Sequence, residues 1–123
     1  MLTDKPVLIL HDNIYLALDL VAAVESLHGR AAGPAATVTE ALTILDSENV
    51  AAAVIDADLA DNGLSPIVRA LTERRIPYVI QTSGTLAPEI KMVGPTARVL
   101  VKPIQPLDVV SVLAHEVLRS EAS

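Results

Sequence analysis

The sequence predicts an α/β fold, a doubly wound five-stranded parallel sheet with helices on both faces. Three observations carry this. Short, continuously apolar runs rich in Val, Ile, Leu and Ala recur along the chain, as strands buried on both faces require. Between them the apolar spacing changes to three and four, the period of a helix with one buried side. The apolar runs stop at polar clusters, where a sheet of this kind keeps its functional edge. At 123 residues the chain is one domain by size, read as a single unit over 1–123 with its core from about 5 to 119.

Val7-Leu8-Ile9-Leu10 follows Pro6, ends at His11-Asp12-Asn13 and reads as the first strand. A helix runs from Ile14 to about His28, with Ala17, Leu20, Val21, Val24 and Leu27 on its apolar side and Gly29 closing it. Arg30 to Ala36 is a weaker strand interrupted by Gly33-Pro34, which places it at an edge because Pro cannot serve a central ladder. Thr37 and Glu40 have capping-box spacing ahead of Ala41, Leu42 and Leu45, so a helix is expected to about Ser47. Ala51 to Ile55 is the third strand and stops at Asp56. After a polar loop, Ser65-Pro66 reads as an N-cap with Pro at the first helical position, and Ile67, Val68 and Leu71 form the buried stripe. Pro77 opens the fourth strand, Tyr78-Val79-Ile80, which stops at Gln81-Thr82-Ser83-Gly84. The weakest pattern lies between Thr85 and Gly94, with a short helix expected near Pro88 to Met92. Ala97 to Val101 is the fifth strand, stopped by Lys102-Pro103. Pro106 opens a last helix with Leu107, Val110, Leu113, Ala114 and Val117 inward. Right-handed crossovers leave few strand orders open, and the expected one is 2-1-3-4-5, the flavodoxin-like order.

Composition narrows the function. Hydrophobic residues make up 51% and charged residues 20%, a folding composition. The core must be aliphatic, since Tyr15 and Tyr78 are the only aromatic residues counted. Nine Lys and Arg against 15 Asp and Glu give a formal charge of −6, which repels a phosphate backbone. With no stacking platforms either, nucleic acid is not an expected partner. The absence of Cys excludes disulfides, thiolate metal sites and thiol catalysis. No apolar run approaches the ~20 residues a bilayer span needs, and no signal-peptide pattern opens the sequence. The expectation is a cytoplasmic protein with no membrane association.

The strand ends bring together His11-Asp12-Asn13, Asp56-Ala57-Asp58, Thr82-Ser83-Gly84 and Lys102-Pro103. In the order 2-1-3-4-5, the first and third strands are neighbours about 5 Å apart, so Asp12 and Asp56 converge. Two close carboxylates repel unless they share a proton or a cation. A hard divalent ion with oxygen ligands resolves this, and Mg²⁺ takes one or two carboxylates plus phosphate. Thr82 offers a hydroxyl to a phosphate oxygen. Lys102 lies two strands from Asp56, about 10 Å at the backbone, a gap its stem can largely cover. A carboxylate, a metal, a hydroxyl and an ammonium around one point are what phosphoryl transfer to an aspartate requires.

Leu-His-Asp-Asn at 10–13, Ala-Val-Ile-Asp-Ala-Asp-Leu at 53–59, Thr82-Ser83-Gly84 and Leu-Val-Lys-Pro-Ile at 100–104 give the chain its resemblance to the receiver domain of two-component response regulators. The resemblance extends from Val7 to about Leu118. It implies a phospho-acceptor at Asp56 and phosphate binding by Thr82 and Lys102. It implies Mg²⁺ held by the side chains of Asp12 and Asp56 and by the backbone carbonyl of Asp58, with a cis bond before Pro103. The implied protein is a stand-alone regulator, monomeric or homodimeric, phosphorylated by a histidine kinase or a histidine phosphotransfer protein. It is not an enzyme beyond its own phosphorylation and dephosphorylation.

Two positions depart from the family pattern. The first of two adjacent acids after the first strand is His11, and neutral imidazole prefers softer metals than Mg²⁺, so weaker Mg²⁺ binding is expected. The usual aromatic three residues before the lysine is Val99, so a switch through that residue is missing. Both departures suit an alternative, a pseudo-receiver that keeps the fold as an interaction module and is not phosphorylated. A flavodoxin-like cofactor binder or hydrolase is a weaker alternative, since the chain has no Walker, Gly-x-Gly-x-x-Gly or Gly-x-Ser-x-Gly sequence.

Several residues also have plainer roles. Asp12 can cap the first helix. Asp58 is expected to keep its side chain in solvent, with only its carbonyl functional. His28 and His115 read as surface residues, and Arg74-Arg75 as cations suited to a helix end.

Overall fold

The structure, a computed structural model, describes residues 2–59, 63–84, 88, 90, 94 and 98–122. The elements in chain order are β1 (Pro6–Leu10), α1 (Ile14–Ser26), β2 (Arg30–Ala35), α2 (Val38–Ser47), β3 (Ala52–Asp56), α3 (Ser65–Glu73), β4 (Tyr78–Thr82), β5 (Arg98–Val101) and α4 (Pro106–Ala122). The strands form one sheet of order β2-β1-β3-β4-β5, and every neighbouring pair is parallel. The expected fold class and strand order are therefore those observed. The short helix expected near Pro88 to Met92 falls largely outside the described residues.

Alternation along the central strands splits the core in two. Leu8, Leu10, Ala53, Ile55 and Ile80 face one side with Val38, Ala41 and Leu45 of α2 and Ile67, Val68 and Leu71 of α3. Val7, Ile9, Ala52, Val54 and Val79 face the other with Ala17, Leu20 and Val24 of α1 and Val110, Leu113 and Val117 of α4. Both faces of β1, β3 and β4 are thus covered, which is why their sequences are apolar without alternation.

β2 is an edge strand, as Gly33-Pro34 implied. Gly33 takes a φ of 100°, and the β1–β2 register shifts between Leu8 and Leu10. The cap at α2 forms as its spacing implied: Thr37 Oγ1 accepts from Glu40 N at 3.1 Å, and the Glu40 carboxylate accepts from Ala36 N, one residue before the cap, at 3.5 Å.

Three local expectations are corrected. Ser65 is not the cap of α3. The cap is Leu64, which makes no side-chain capping bond, and Ser65 is already helical. Leu64 is buried in the core and its carbonyl accepts from Val68 N at 3.0 Å, so packing starts the helix one residue early. Leu107 is not inward but 50% exposed. Burial of Val109 with Val110, Leu113 and Val117 turns the helix face, and Leu107 lies roughly 100° round the helix from its centre. At α1 the cap is Asn13 and not Asp12; Asn13 Oδ1 accepts from Tyr15 N at 3.0 Å and Leu16 N at 3.2 Å.

Candidate functional site

Four parallel strands, β1, β3, β4 and β5, end at one edge of the sheet. Leu10 pairs with Ile55, Asp56 with Gln81 and Thr82 with Val101. Backbone bonds continue the ladders one step further, from Ala57 N to Gln81 O and from Lys102 N to Thr82 O, both 2.8 Å. These bonds hold His11, Asp56, Thr82 and Lys102 at adjacent strand ends.

Asp56 sits at the centre and is 2% exposed. Its Oδ1 accepts a hydrogen bond from Lys102 Nζ at 2.8 Å and another from Asp58 N at 3.0 Å. Its Oδ2 lies 3.1 Å from His11 Nε2. A buried carboxylate is costly unless paired and hydrogen-bonded, and Asp56 has both compensations.

Lys102 bridges two acids. Its Nζ is 2.8 Å from Asp56 Oδ1 and 3.0 Å from Asp58 Oδ2. Burial works against the ammonium, but hydrogen bonds and charge from Asp56 and Asp58 outweigh it and hold Lys102 above the ordinary lysine pKa. The Lys102–Pro103 peptide bond is cis.

Asp58 requires a correction. Its side chain is exposed as expected, but the carboxylate is also engaged: it accepts from Ser83 N at 2.9 Å and lies 3.0 Å from Lys102 Nζ. Burial raises its pKa, but the bonds from Lys102 and Ser83 prevail and hold it below the ordinary value. Asp58 lies in the turn after β3, where strand alternation no longer fixes the direction of a side chain, so the sequence held no clear signal for this.

Thr82 is 3% exposed. Its hydroxyl accepts from Gly84 N at 3.1 Å and has two acceptors in reach, Gly84 O at 3.2 Å and Asp58 Oδ1 at 3.5 Å. Val99, paired with Ile80 on edge strand β5, is 37% exposed and carries no polar tip. His28 and Arg74 lie away from this group. His28 is exposed beside the end of α1, and Arg74 binds Asp46 at 2.7 Å.

His11, Asp12 and Asp56 bring possible ligand atoms within 4.8 Å of one another. The cluster keeps the two expected carboxylates, Asp12 and Asp56, but its third possible ligand atom is an imidazole nitrogen and not an oxygen. Mg²⁺ takes oxygen lone pairs. His11 Nδ1 accepts the Asn13 backbone N–H at 3.1 Å, so the hydrogen-bond network puts the ring proton on Nε2, the atom facing Asp56. Asp56 Oδ1 is engaged by Lys102. The half-exposed Asp12 lies with its Oδ1 3.8 Å from His11 Nδ1.

The fold is that of response regulator receiver domains. Among similar solved structures is a CheY-like response regulator receiver domain protein from Methanospirillum hungatei, with a TM-score of 0.84 and 18% identity over 98% of both chains. The chemotaxis protein CheY4 of Vibrio cholerae matches with a TM-score of 0.76 and 21% identity, over 93% of this chain and 99% of its own. A CheY-like receiver domain from Methylobacillus flagellatus matches with a TM-score of 0.76 and 21% identity, over 94% of this chain and 99% of its own. No protein-family model and no curated protein matches the sequence.

Proposed function

We propose that the chain is a response regulator receiver that accepts a phosphoryl group on Asp56. The observation that carries this reading is the buried Asp56 carboxylate with Lys102 Nζ at 2.8 Å, at the sheet edge where four strands end. An Asp56 oxygen attacks the phosphorus of a phosphohistidine. The O–P bond forms as the N–P bond breaks, and the bonding pair returns to the donor imidazole. Lys102 offsets charge on the phosphoryl oxygens, and the Thr82 hydroxyl stands on the next strand to meet one of them. The phosphoryl group leaves Asp56 by hydrolysis or by transfer to a further acceptor, so the role is a switch or relay and not that of an enzyme acting on a separate substrate.

The donor is a histidine kinase or a histidine phosphotransfer protein, which places the chain in the cytoplasm. A docking surface for it adjoins the site. Ile14, Tyr15, Leu16 and Leu18, at the start of α1 just after Asp12, are 46–79% exposed. Among the described residues no helix is long and apolar enough to cross a membrane.

Intact mass after incubation with acetyl phosphate tests the reading. Wild type gains one phosphoryl group and Asp56→Asn gains none. A second reading, the unphosphorylated interaction module, draws on the occupation of both Asp56 oxygens by Lys102 and His11. No mass gain in folded wild type under any condition would establish it.

A further inference from the structure

We propose that the His11 Nε2–H stands in for the divalent cation at this site, so that Asp56 accepts its phosphoryl group without Mg²⁺. The inference rests on the phospho-acceptor reading and concerns how that site handles charge.

Asn13 sets the His11 tautomer. Its side chain caps α1, which holds its backbone in place, and its backbone N–H points at His11 Nδ1 from 3.1 Å. The ring side chain is 5% exposed, so water does not compete for that nitrogen. The proton is left on Nε2, 3.1 Å from Asp56 Oδ2. To ligate a metal through Nε2, the ring would have to carry its proton on Nδ1, facing the Asn13 N–H. Two donors would then oppose each other at a part-buried contact, and the Asn13–His11 hydrogen bond would be lost.

The substitution also changes the charge to be offset. An acid after β1 would add a negative charge beside Asp56 and call for a cation. The neutral ring removes that charge and supplies a donor. His11 and Lys102 each face one Asp56 oxygen, at 3.1 Å and 2.8 Å. During transfer charge is spread over the phosphoryl oxygens, and the His11 Nε2–H and the Lys102 ammonium both stand beside Asp56 to meet it. With acetyl phosphate, the Asp56 O–P bond forms and the acetyl O–P bond breaks. The electron pair leaves with acetate, and no proton is required from Asp56.

The test has two arms. In the first, phosphoryl uptake from acetyl phosphate is followed by intact mass in excess Mg²⁺ and in excess EDTA, for wild type and His11→Asp. Wild-type rates are expected to agree within about twofold, while His11→Asp slows at least about tenfold in EDTA. In the second, the ¹⁵N resonances of the wild-type His11 ring are followed during a Mg²⁺ titration. They are expected to show the Nε2–H tautomer and to stay in place, a readout that does not need His11→Asp to fold. Uptake by wild type only with Mg²⁺ overturns the inference and leaves the acceptor reading standing. A Mg²⁺-dependent shift of the His11 ring nitrogens also overturns it. No uptake by either protein in either condition overturns the acceptor reading, and the inference with it.

Discussion

Asp58 and Lys102 are tied by one 3.0 Å contact, and their pKa shifts give it a pH signature. Burial raises the Asp58 pKa, but bonds from Lys102 and Ser83 win and bring it below 3.8, the ordinary value. A depressed carboxylate contributes stability that is complete above its unfolded pKa and is lost as pH falls through the folded one. The stability lost in Asp58→Asn is therefore expected to be constant near neutrality and to shrink below pH 3.8, read from urea unfolding across pH. Lys102 has the opposite sign. Its raised pKa contributes stability present below 10.5 and lost as pH climbs through the higher folded value. Gln81 presents a separate case. Its Nε2 is a buried side-chain polar atom without a hydrogen-bond partner among the described residues. Gln81→Met keeps the length and removes the unpaired donor, so a gain of about 1 kcal/mol is expected in urea unfolding.

Among the elements, the cap of α2 was legible because Thr37 and Glu40 satisfy backbone donors within their own turn. Thr37→Ala is expected to cost about 1 kcal/mol, measured by the urea midpoint at unchanged slope. The start of α3 was less legible. Ser65-Pro66 carries a start signal, but burial of Leu64 draws the helix back by one residue. In α4 the spacing of Leu107, Val110 and Leu113 suits a buried stripe equally with or without Leu107. Packing of Val109 against the sheet decides the matter. At β2 the interruption by Gly33-Pro34 was enough, since an edge strand is the place where a broken ladder is tolerated.

Across the whole molecule, a net charge of −6 and an aliphatic composition bear on partners more than on fold. No retention on a heparin column at low salt is expected, and binding there would expose a basic surface that the charge total conceals. The fold and the positions of the site residues were readable because both depend on local periodicity and on where apolar runs stop. A strand buried on two faces has to be apolar throughout, and its end has to be polar, so residue order alone reveals five strands and the strand ends where Asp12, Asp56, Thr82 and Lys102 lie, while chain crossovers narrow the strand order to a few. Which atoms meet there depends on contacts between residues far apart in the chain. The contact from Lys102 to Asp56 spans 46 residues, and the engagement of Asp58 by Ser83 spans 25. The His11 proton was settled in the same way. The capped start of α1 places the Asn13 N–H on Nδ1, and β3 brings Asp56 to Nε2. Residue type shows that an imidazole is present, but which of its nitrogens carries the proton depends on the partners that packing puts beside each one.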